Sequence, residues 1–269
     1  MRRFVIIGHQ ASVTAGFSLD DLPGSGGRFD VLCRAIGAAF FVSHGIRHDV
    51  EVTLSLQDSV LIRLDGRRLK RLNPDERSTA GLLRRALHQA GDEEVESSPG
   101  IYVSRGALTG ALDHLHLVGA HPLVLDEGGA RFSAASLPAE PAFILSDHLS
   151  FTEADRDALG EQQQLSLGPR PLHTSQCITI VHYLLDRRED DQNAELVCCH
   201  KVWGEPKAQL IKGLLQDFGI PVNLVSHAAP SHLPINVDGL GEIRIMVLER
   251  DLGRAREVIS DYFEEPIDE

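Results

Sequence analysis

The sequence of 269 residues lacks features that would place it in several common classes. No apolar run approaches the roughly 18–20 residues that a membrane-spanning helix needs. The first apolar run, in MRRFVIIGHQ, is short and no cleavage pattern follows it, so we expect no signal peptide. The four cysteines are scattered and form no CxxC pair, which disfavours a disulfide framework and a structural zinc site. We therefore expect no membrane partner, no metal and a reducing, cytoplasmic setting.

Common signatures of nucleotide binding and of serine hydrolases are also missing. The sequence contains no GxxxxGK[ST] loop, and FVIIGH is followed by QAS where a dinucleotide-binding fold would have GxGxxG. No GxSxG elbow is present. The net charge of −13 at pH 7 argues against a protein that binds nucleic acid through a general positive charge.

Strand and helix patterns alternate along the first two thirds of the chain. Apolar runs such as FVIIGH (4–9) and AFILSDH (142–148) are typical of buried strands. One helix is predicted over 31–45 with Asp30 as its cap, and a loop is predicted over 92–100. This alternation predicts an α/β fold whose mainly parallel sheet is covered on both faces.

A charged segment, DRREDDQNAE (186–195), is interpreted as a linker. The order β-α-β-β-α after it predicts a small α+β domain of ferredoxin-like type. The sequence therefore predicts two domains, over 1–188 and 195–269.

In such α/β folds, ligands bind beyond the carboxyl ends of the strands. The loops to consider lie in LVLDEGG, FILSDHLSF and LSLGPRPL. Gly168 permits close backbone approach and the flanking prolines fix the turn, which suits the edge of an adenine. Cys177 follows in the first turn of a helix, where a lowered thiol pKa would permit a nucleophile. Its apolar stripe with Val181 and Leu184 favours a pocket wall or core position.

A basic segment, RLDGRRLKRL (63–72), has two interpretations. It is either a phosphate-facing patch or a solvated hairpin edge protected by charge. The cations concerned are Arg63, Arg67, Arg68, Lys70 and Arg71.

Five segments of the first 188 residues match the motifs of one known family, in the family's order. They are FVIIGH, DLPGSGGRFDVLCRAIGAAFFVSHGIR, LVLDEGG, FILSDHLSF and LSLGPRPLHTSQCITIVHYLLDR. This part of the chain resembles the archaeal-type tRNA pseudouridine N1-methyltransferases of the SPOUT superfamily. The resemblance implies a homodimer and a SPOUT-type α/β domain with a C-terminal trefoil knot, which periodicity does not reveal.

The same resemblance implies S-adenosyl-L-methionine as cofactor, bound in the loops of the knot. The contacts that it implies are Leu125, Leu145, Ser146, Leu167, Gly168, Pro169, Leu172 and Cys177. The implied reaction is methylation of N1 of pseudouridine at position 54 in the T-loop of tRNA. A protein with this activity would take part in tRNA processing in the cytoplasm.

Proton removal from the accepting nitrogen calls for a nearby base or a group that orients it. Asp30 is the candidate for this role, with the capping of its own helix as the alternative. Arg34 stands beside it as a second catalytic candidate, and Arg28 is a candidate RNA contact together with the 63–72 cations. Either arginine could instead pair with surface acids. His148 and His182 are alternative proton handlers.

The C-terminal segment resembles small domains described as signal-transducing proteins, through GEIRIMVLERDLGRAREVI. It could bind a small effector, bind a protein partner or enlarge the dimer. Two other functions remain open for the whole chain. One is a knotted RNA- or ligand-binding regulatory protein without catalysis, and the other is a methyltransferase acting on another RNA.

Overall fold

The structure is a computed structural model that describes residues 1–133, 136–193, 196–226 and 242–263. The chain divides into two compact units, Met1–Leu185 and Asp186–Glu269. The boundary falls within one long helix, Thr174–Asn193. The interpretation of the segment after Leu185 as a linker was therefore wrong through Asn193, because its Arg, Glu and Asp residues continue a helix already formed. Residues 194 and 195 lie outside the described residues.

The first unit alternates strands and helices, with most strands in one sheet. Its elements are β1 (Arg2–Gly8), α1 (Phe29–Phe40), β2 (Phe41–Val42), β3 (Gly45–Ile46), β4 (Val50–Leu56), β5 (Val60–Asp65), α2 (Glu76–Leu87), β6 (Val95–Ser98), β7 (Ile101–Arg105), α3 (Leu108–Leu117), β8 (His121–Arg131), β9 (Pro141–Ser146), α4 (Glu153–Leu159), β10 (Gln163–Ser166) and α5 (Thr174–Asn193).

The large sheet has eight strands in the order β10-β8-β9-β1-β4-β5-β7-β6. Neighbouring strands are parallel from β10 to β4, and antiparallel from β4 to β6. The α/β class and the mainly parallel sheet predicted from the sequence are confirmed.

Both faces of the central strand β1 are covered by helices. Phe4 and Ile6 lie in a cluster of buried residues with α1, α2 and α5. Val5 and Ile7 point to the opposite face and pack with α3 and α4. Successive side chains of a strand alternate between faces, so burial on both sides explains the continuous apolar run of FVIIGH.

Two local predictions were wrong. The helix predicted over 31–45 ends at Phe40, and the chain then forms a hairpin between β2 and β3. Phe41 and Val42 are aromatic and β-branched residues that favour extended backbone over a further helical turn. The predicted loop 92–100 contains β6, which pairs with β7 at the edge of the sheet.

The second unit contains a small antiparallel sheet. Its elements are β11 (Leu196–Trp203), α6 (Glu205–Asp217), β12 (Val222–Ser226), β13 (Glu242–Leu248), a 3-10 turn (Glu249–Asp251) and α7 (Leu252–Phe263). The strands lie in the order β11-β13-β12. Ile243, Ile245 and Val247 on β13 are buried in one cluster with α6 and α7. No described helix of either unit is long and apolar enough to cross a membrane.

Candidate active site

A cleft of about 280 Å³ lies at the carboxyl ends of β8, β9 and β10. Leu125 on β8, Ser146 at the end of β9 and Leu165 on β10 all line it. The chain leaves β9 on one side of β8 and returns as β10 on the other side. A reversal of this kind opens a crevice between the strand ends, which is where ligands bind in open α/β sheets.

Seven of the eight residues predicted as cofactor contacts line this cleft. They are Leu125, Leu145, Ser146, Leu167, Gly168, Leu172 and Cys177. Pro169 is not among the lining residues, although its neighbours Gly168 and Arg170 are. The three loops chosen from the sequence thus meet at one place, while contact with the cofactor stays a prediction.

The cleft combines apolar walls with carboxylates. Its apolar surface comes largely from leucines on the three strands and on the loops that follow them. Such a surface suits a flat base, whereas carboxylates suit hydroxyl and cationic groups. The acids stand inside the quoted segments LVLDEGG and FILSDHLSF, and of these the sequence suggested only Asp147, as a ligand contact or a helix N-cap. They are Asp126, Glu127 and Asp147.

The first turn of α5 is fixed to the end of β9. Thr174 is buried, and its Oγ1 lies 2.7 Å from the carbonyl oxygen of Ser146 and 3.1 Å from that of Asp147. Cys177, one turn further, faces the cleft. Burial raises the pKa of the Cys177 thiol to about 11, so the thiolate that a nucleophile requires is scarce at neutral pH. The geometry therefore favours the pocket-wall interpretation of Cys177.

A charged cluster surrounds Asp30 in the first turn of α1. Arg28 donates from Nε and Nη2 to its two carboxylate oxygens at 3.0 and 3.2 Å, and Arg34 donates from Nη2 to Oδ2 at 2.8 Å. Burial opposes ionisation of Asp30, but the hydrogen bonds from both guanidinium groups outweigh it and lower its pKa. Asp30 is therefore an ionised anchor for two cations and a weak base.

Arg28, rather than Asp30, occupies the capping position of α1. It has a left-handed backbone with φ of 68°, and no side chain caps the helix. The prediction that Asp30 caps its helix was therefore wrong, because the helix already begins at Phe29. The preceding Gly27 packs so tightly that a Cβ atom there would stand 1.8 Å from the carbonyl oxygen of Gln10. The glycine-rich turn thus directs Arg28 towards Asp30.

Arg34 also borders a second depression of about 270 Å³ between α1 and the start of α5. Val31 and the segment 173–176 complete its lining. Thr174 lines both this depression and the cleft. Of the two predicted catalytic residues, Arg34 lines this depression, and Asp30 is linked to it through its hydrogen bond with Arg34.

The basic patch predicted over 63–72 lies elsewhere. Asp65, at the end of β5, is opposite Glu51 at the start of β4, so this segment is at the amino end of β4. The cleft is at the other end of the parallel strands, about 20 Å away for strands of this length. Arg63, Arg67 and Arg68 are paired with Glu94, Asp65 and Glu96, respectively.

The two alternative proton handlers occupy different environments. His148 lines the cleft, with Nδ1 at 3.5 Å from Asp147 Oδ2. His182 is buried in the core, where Nε2 lies 3.0 Å from the carbonyl oxygen of Ala39 and Nδ1 lies 3.2 Å from Arg2 Nη1. Both ring nitrogens of His182 are thus engaged away from the cleft.

The fold and the cleft define an α/β protein with a nucleotide-sized site at the carboxyl edge of its sheet. Residues 1–190 match the model of a family described as "Putative SAM-dependent RNA methyltransferase". The chain belongs to this family. It is a methyltransferase whose methyl donor is S-adenosylmethionine.

Curated relatives resemble the part of the chain that matches this family model, residues 1–190. A protein of Halobacterium salinarum named tRNA (pseudouridine(54)-N(1))-methyltransferase is 45% identical over 192 residues, which are 69% of this chain and 96% of that protein. A protein of the same name from Methanococcoides burtonii is 42% identical over 195 residues, covering 70% of this chain and 96% of that protein.

A solved structure shares the fold. The structure of Archaeoglobus fulgidus Nep1 bound to S-adenosylhomocysteine aligns with a TM-score of 0.54 and 17% sequence identity. The alignment covers 70% of this chain and 99% of that chain. Residues 204–262 match a second family model, described as "Putative prokaryotic signal transducing protein".

The residues of the cleft fit S-adenosylmethionine chemically. Adenine is flat and apolar on its faces, which suits the leucine-rich walls, and the rigid backbone around Gly168 offers polar groups to its edge. The sulfonium and ammonium groups of the cofactor are cationic, and Asp126, Glu127 and Asp147 supply negative charge. A Cβ atom built on Gly168 would meet no protein atom within 4 Å, so this wall leaves space open.

Proposed function

We propose that this chain methylates N1 of pseudouridine at position 54 of tRNA. The observation that carries the proposal is the identity of 42–45% to relatives of that name, of which the chain covers 96%. The cleft and the Arg34 depression together offer adjacent spaces for a methyl donor and a base. This juxtaposition favours a catalyst over a regulatory protein that only binds RNA or ligand.

When bound, the cofactor would supply an electrophilic methyl group: transfer to N1 would break the methyl–sulfur bond, leave a neutral thioether, and pass the N1 proton to water. Arg34 extends from α1 towards the acceptor space and donates hydrogen bonds to the carbonyl oxygens of the base. Holding the base in line with the methyl group supplies much of the acceleration in such a transfer. Asp30 acts as a positioning residue, because its carboxylate fixes both guanidinium groups.

We propose that RNA phosphates meet the cations nearest the cleft. Arg28 and Arg34 are 37% and 45% exposed, respectively, so each retains surface for a phosphate besides its bond to Asp30. Arg170 lines the cleft itself. Within the 63–72 patch, Lys70 and Arg71 are exposed, and contact of this patch with a distant part of the RNA stays a prediction.

We propose that the family part forms the trefoil knot and the homodimer. For the knot, the supporting observation is that α5 follows edge strand β10 yet begins against the end of β9, through Thr174. For the homodimer, it is the outer side of α5, where Thr179 and Ile180 border a shallow depression. Tyr183 continues this side and is 58% exposed.

We propose that the second unit is an α+β domain of ferredoxin-like type. The element order β11-α6-β12-β13-α7 and the antiparallel strand order β11-β13-β12 support this assignment. Binding of a small effector or protein partner by this unit stays a prediction.

The test uses purified full-length protein, S-adenosylmethionine and two transcripts of one tRNA, with either pseudouridine or uridine at position 54. Nucleosides are then identified by mass spectrometry. We expect 1-methylpseudouridine in the first transcript and no methylated nucleoside in the second. Methylation at another nucleotide would assign the chain to another RNA site, and no methylation of either transcript would overturn the proposal.

A further inference from the structure

His9 follows β1 and joins two carboxylates from distant parts of the chain. Its Nδ1 lies 3.0 Å from Asp147 Oδ1, and its Nε2 lies 2.8 Å from Asp155 Oδ2. The backbone N–H of His9 also donates to Asp147 Oδ2 at 2.9 Å. All three side chains are largely buried: their exposed fractions are 11% for His9, 3% for Asp147 and 14% for Asp155. Of the three residues, Asp147 lines the cleft.

The two carboxylates hold the two ends of one cleft wall. Asp147 begins the loop after β9 and accepts from the backbone N–H of Leu149 at 2.9 Å. Asp155 ends it, because its Oδ2 accepts from the backbone N–H of Thr152 at 2.7 Å within the capping box of α4. Residues 147–151 between these points all line the cleft. His9 is therefore hydrogen-bonded at both ends of this wall. We call the wall the β9–α4 loop (147–152).

The contacts of His9 require a donor at each ring nitrogen, since a carboxylate can only accept. Only the doubly protonated imidazolium donates from both nitrogens, whereas neutral histidine donates from one. The hydrogen bond to Asp147 is the main reason that the pKa of His9 is raised to about 9, against the opposing effect of burial and with further help from Asp155. The bridge is therefore charged and complete at neutral pH.

We propose that His9 is a positioning residue for the methyl donor, because its bridge between Asp147 and Asp155 holds the β9–α4 loop in the shape that forms the cleft. The proposal rests on the assignment of the cleft to S-adenosylmethionine. His9 does not line the cleft itself. Its loss therefore weakens cofactor binding and leaves methyl transfer from the bound cofactor largely intact.

Charged groups among the described residues act on both His9 and Asp147. Asp147 and Asp155 face the imidazolium directly, from the end of β9 and from α4. Asp147 also lies 3.5 Å from His148, between Oδ2 and Nδ1, and interacts electrostatically with Arg28. A histidine whose pKa is raised on folding contributes stability fully below its unfolded value of 6.5 and loses it as pH rises through about 9. The hydrogen bonds that hold the loop should therefore be lost across that alkaline range, and cofactor affinity should fall with them.

The first experiment compares His9→Gln with wild type in the full-length protein. The dissociation constant of S-adenosylhomocysteine is measured by calorimetry at pH 7, and kcat is measured at saturating cofactor. We expect affinity to fall on the order of tenfold, as it does when a group that orients a metal ligand is removed, and kcat to change less than about twofold. His114→Gln is the matched control, because it removes a histidine–carboxylate contact of 3.2 Å, to Glu51, at the opposite end of the sheet. This control should keep wild-type affinity.

The second experiment follows affinity from pH 7 to pH 10, with near-UV circular dichroism to verify the fold. The amino group of the ligand titrates in the same pH range, but it affects both proteins equally and therefore cancels in the ratio of wild-type to His9→Gln affinity. We expect this ratio to approach one above pH 9. Equal affinities at pH 7, or a ratio that stays constant through pH 9, would overturn the inference. If His9→Gln fails to fold, Asp155→Asn replaces it: its amide oxygen can still accept from Thr152, while loss of the carboxylate charge removes one cause of the raised His9 pKa, so its affinity should fall at a lower pH than that of wild type. Failure of wild type itself to bind the ligand would overturn the cofactor assignment of the cleft, and the inference with it.

Discussion

Asp30 connects two cations that belong to different parts of the local sequence. Arg28 stands before α1 in a left-handed conformation, and Arg34 lies one turn inside the helix. Arg34 Nη1 also lies 3.2 Å from Glu76 Oε1. Because two guanidinium groups lower its pKa, Asp30 remains ionised through neutral pH and holds the arginines in fixed directions.

The substitution Asp30→Asn tests positioning against general-base catalysis. Loss of the charge should cost about 1 kcal/mol of stability, since both arginines are partly exposed, and should lower kcat/KM for tRNA on the order of 100-fold through misplacement of Arg34. Because the Asp30 pKa is depressed, its contribution to stability is present above the unfolded pKa and is lost only as pH falls through the folded value. Between pH 6 and pH 8 the pH–rate profile should therefore keep its shape in Asp30→Asn.

Steady-state kinetics on the pseudouridine-54 transcript gives this profile. Arg34→Lys serves as the companion variant, because lysine keeps the charge but lacks the planar fork. Arg34→Lys should lower kcat/KM for tRNA by a similar factor. Disappearance of an acid limb in Asp30→Asn that is present in wild type would instead identify Asp30 as the base.

The loops of the cleft could be predicted because each follows a strand in a short contiguous segment. Individual contacts such as Leu125 and Leu145 were implied by the family resemblance, and both line the cleft together with Gly168. His9 could not be predicted. Its partners Asp147 and Asp155 stand 138 and 146 positions away, and nothing in the sequence signals which acids the fold brings to it.

At the scale of elements, α5 has two different sides. Ile178, Val181 and Leu185 are buried in the core of the first unit. Thr179 and Tyr183 on the outer side are exposed, and Ile180 is half-buried. An outer side with apolar residues, next to the cleft, is the surface that we propose for the second copy of the chain.

The substitution Ile180→Lys should convert the proposed dimer into a monomer. A charge at the centre of an apolar contact must be desolvated without a partner, which costs several kcal/mol in an interface. Light scattering after size-exclusion chromatography measures the mass. Leu117→Lys on α3 is the matched control, since Leu117 is 85% exposed, and it should leave the mass unchanged. A monomeric wild type, or a dimeric Ile180→Lys, would contradict the assignment of this surface.

Elements with strong local patterns were predicted well, and those decided by context were not. Thr152 caps α4 through a complete capping box with Asp155, a pattern contained within four consecutive residues. By contrast, three of the four residues of β6 are polar, and it is a strand because β7 offers it an open edge. The helix over 186–193 was missed because a dense run of charges resembles a linker, although half of its residues are good helix formers and they extend a helix already begun at Thr174.

At the scale of the whole molecule, the chain contains separate hydrophobic cores. Two clusters of buried residues lie within the first unit, one on each face of the large sheet. A third cluster is drawn from the second unit, from Val197 to Phe263. Among the described residues, none of these clusters mixes side chains of the two units, so each unit can bury its own apolar surface.

A chain ending at Asn193 should therefore fold and retain methyltransferase activity. It keeps the cleft, the Asp30 cluster and all of α5, and it matches the extent of the relatives that align over 192–195 residues. We expect kcat/KM for the pseudouridine-54 transcript within about threefold of the full-length value, since domains with their own cores fold as units. The full-length chain and a second truncation after Leu185 serve as controls, and the latter should be less stable because it removes the last turns of α5. An unfolded or inactive 1–193 chain would mean that the second unit completes the fold or the active site.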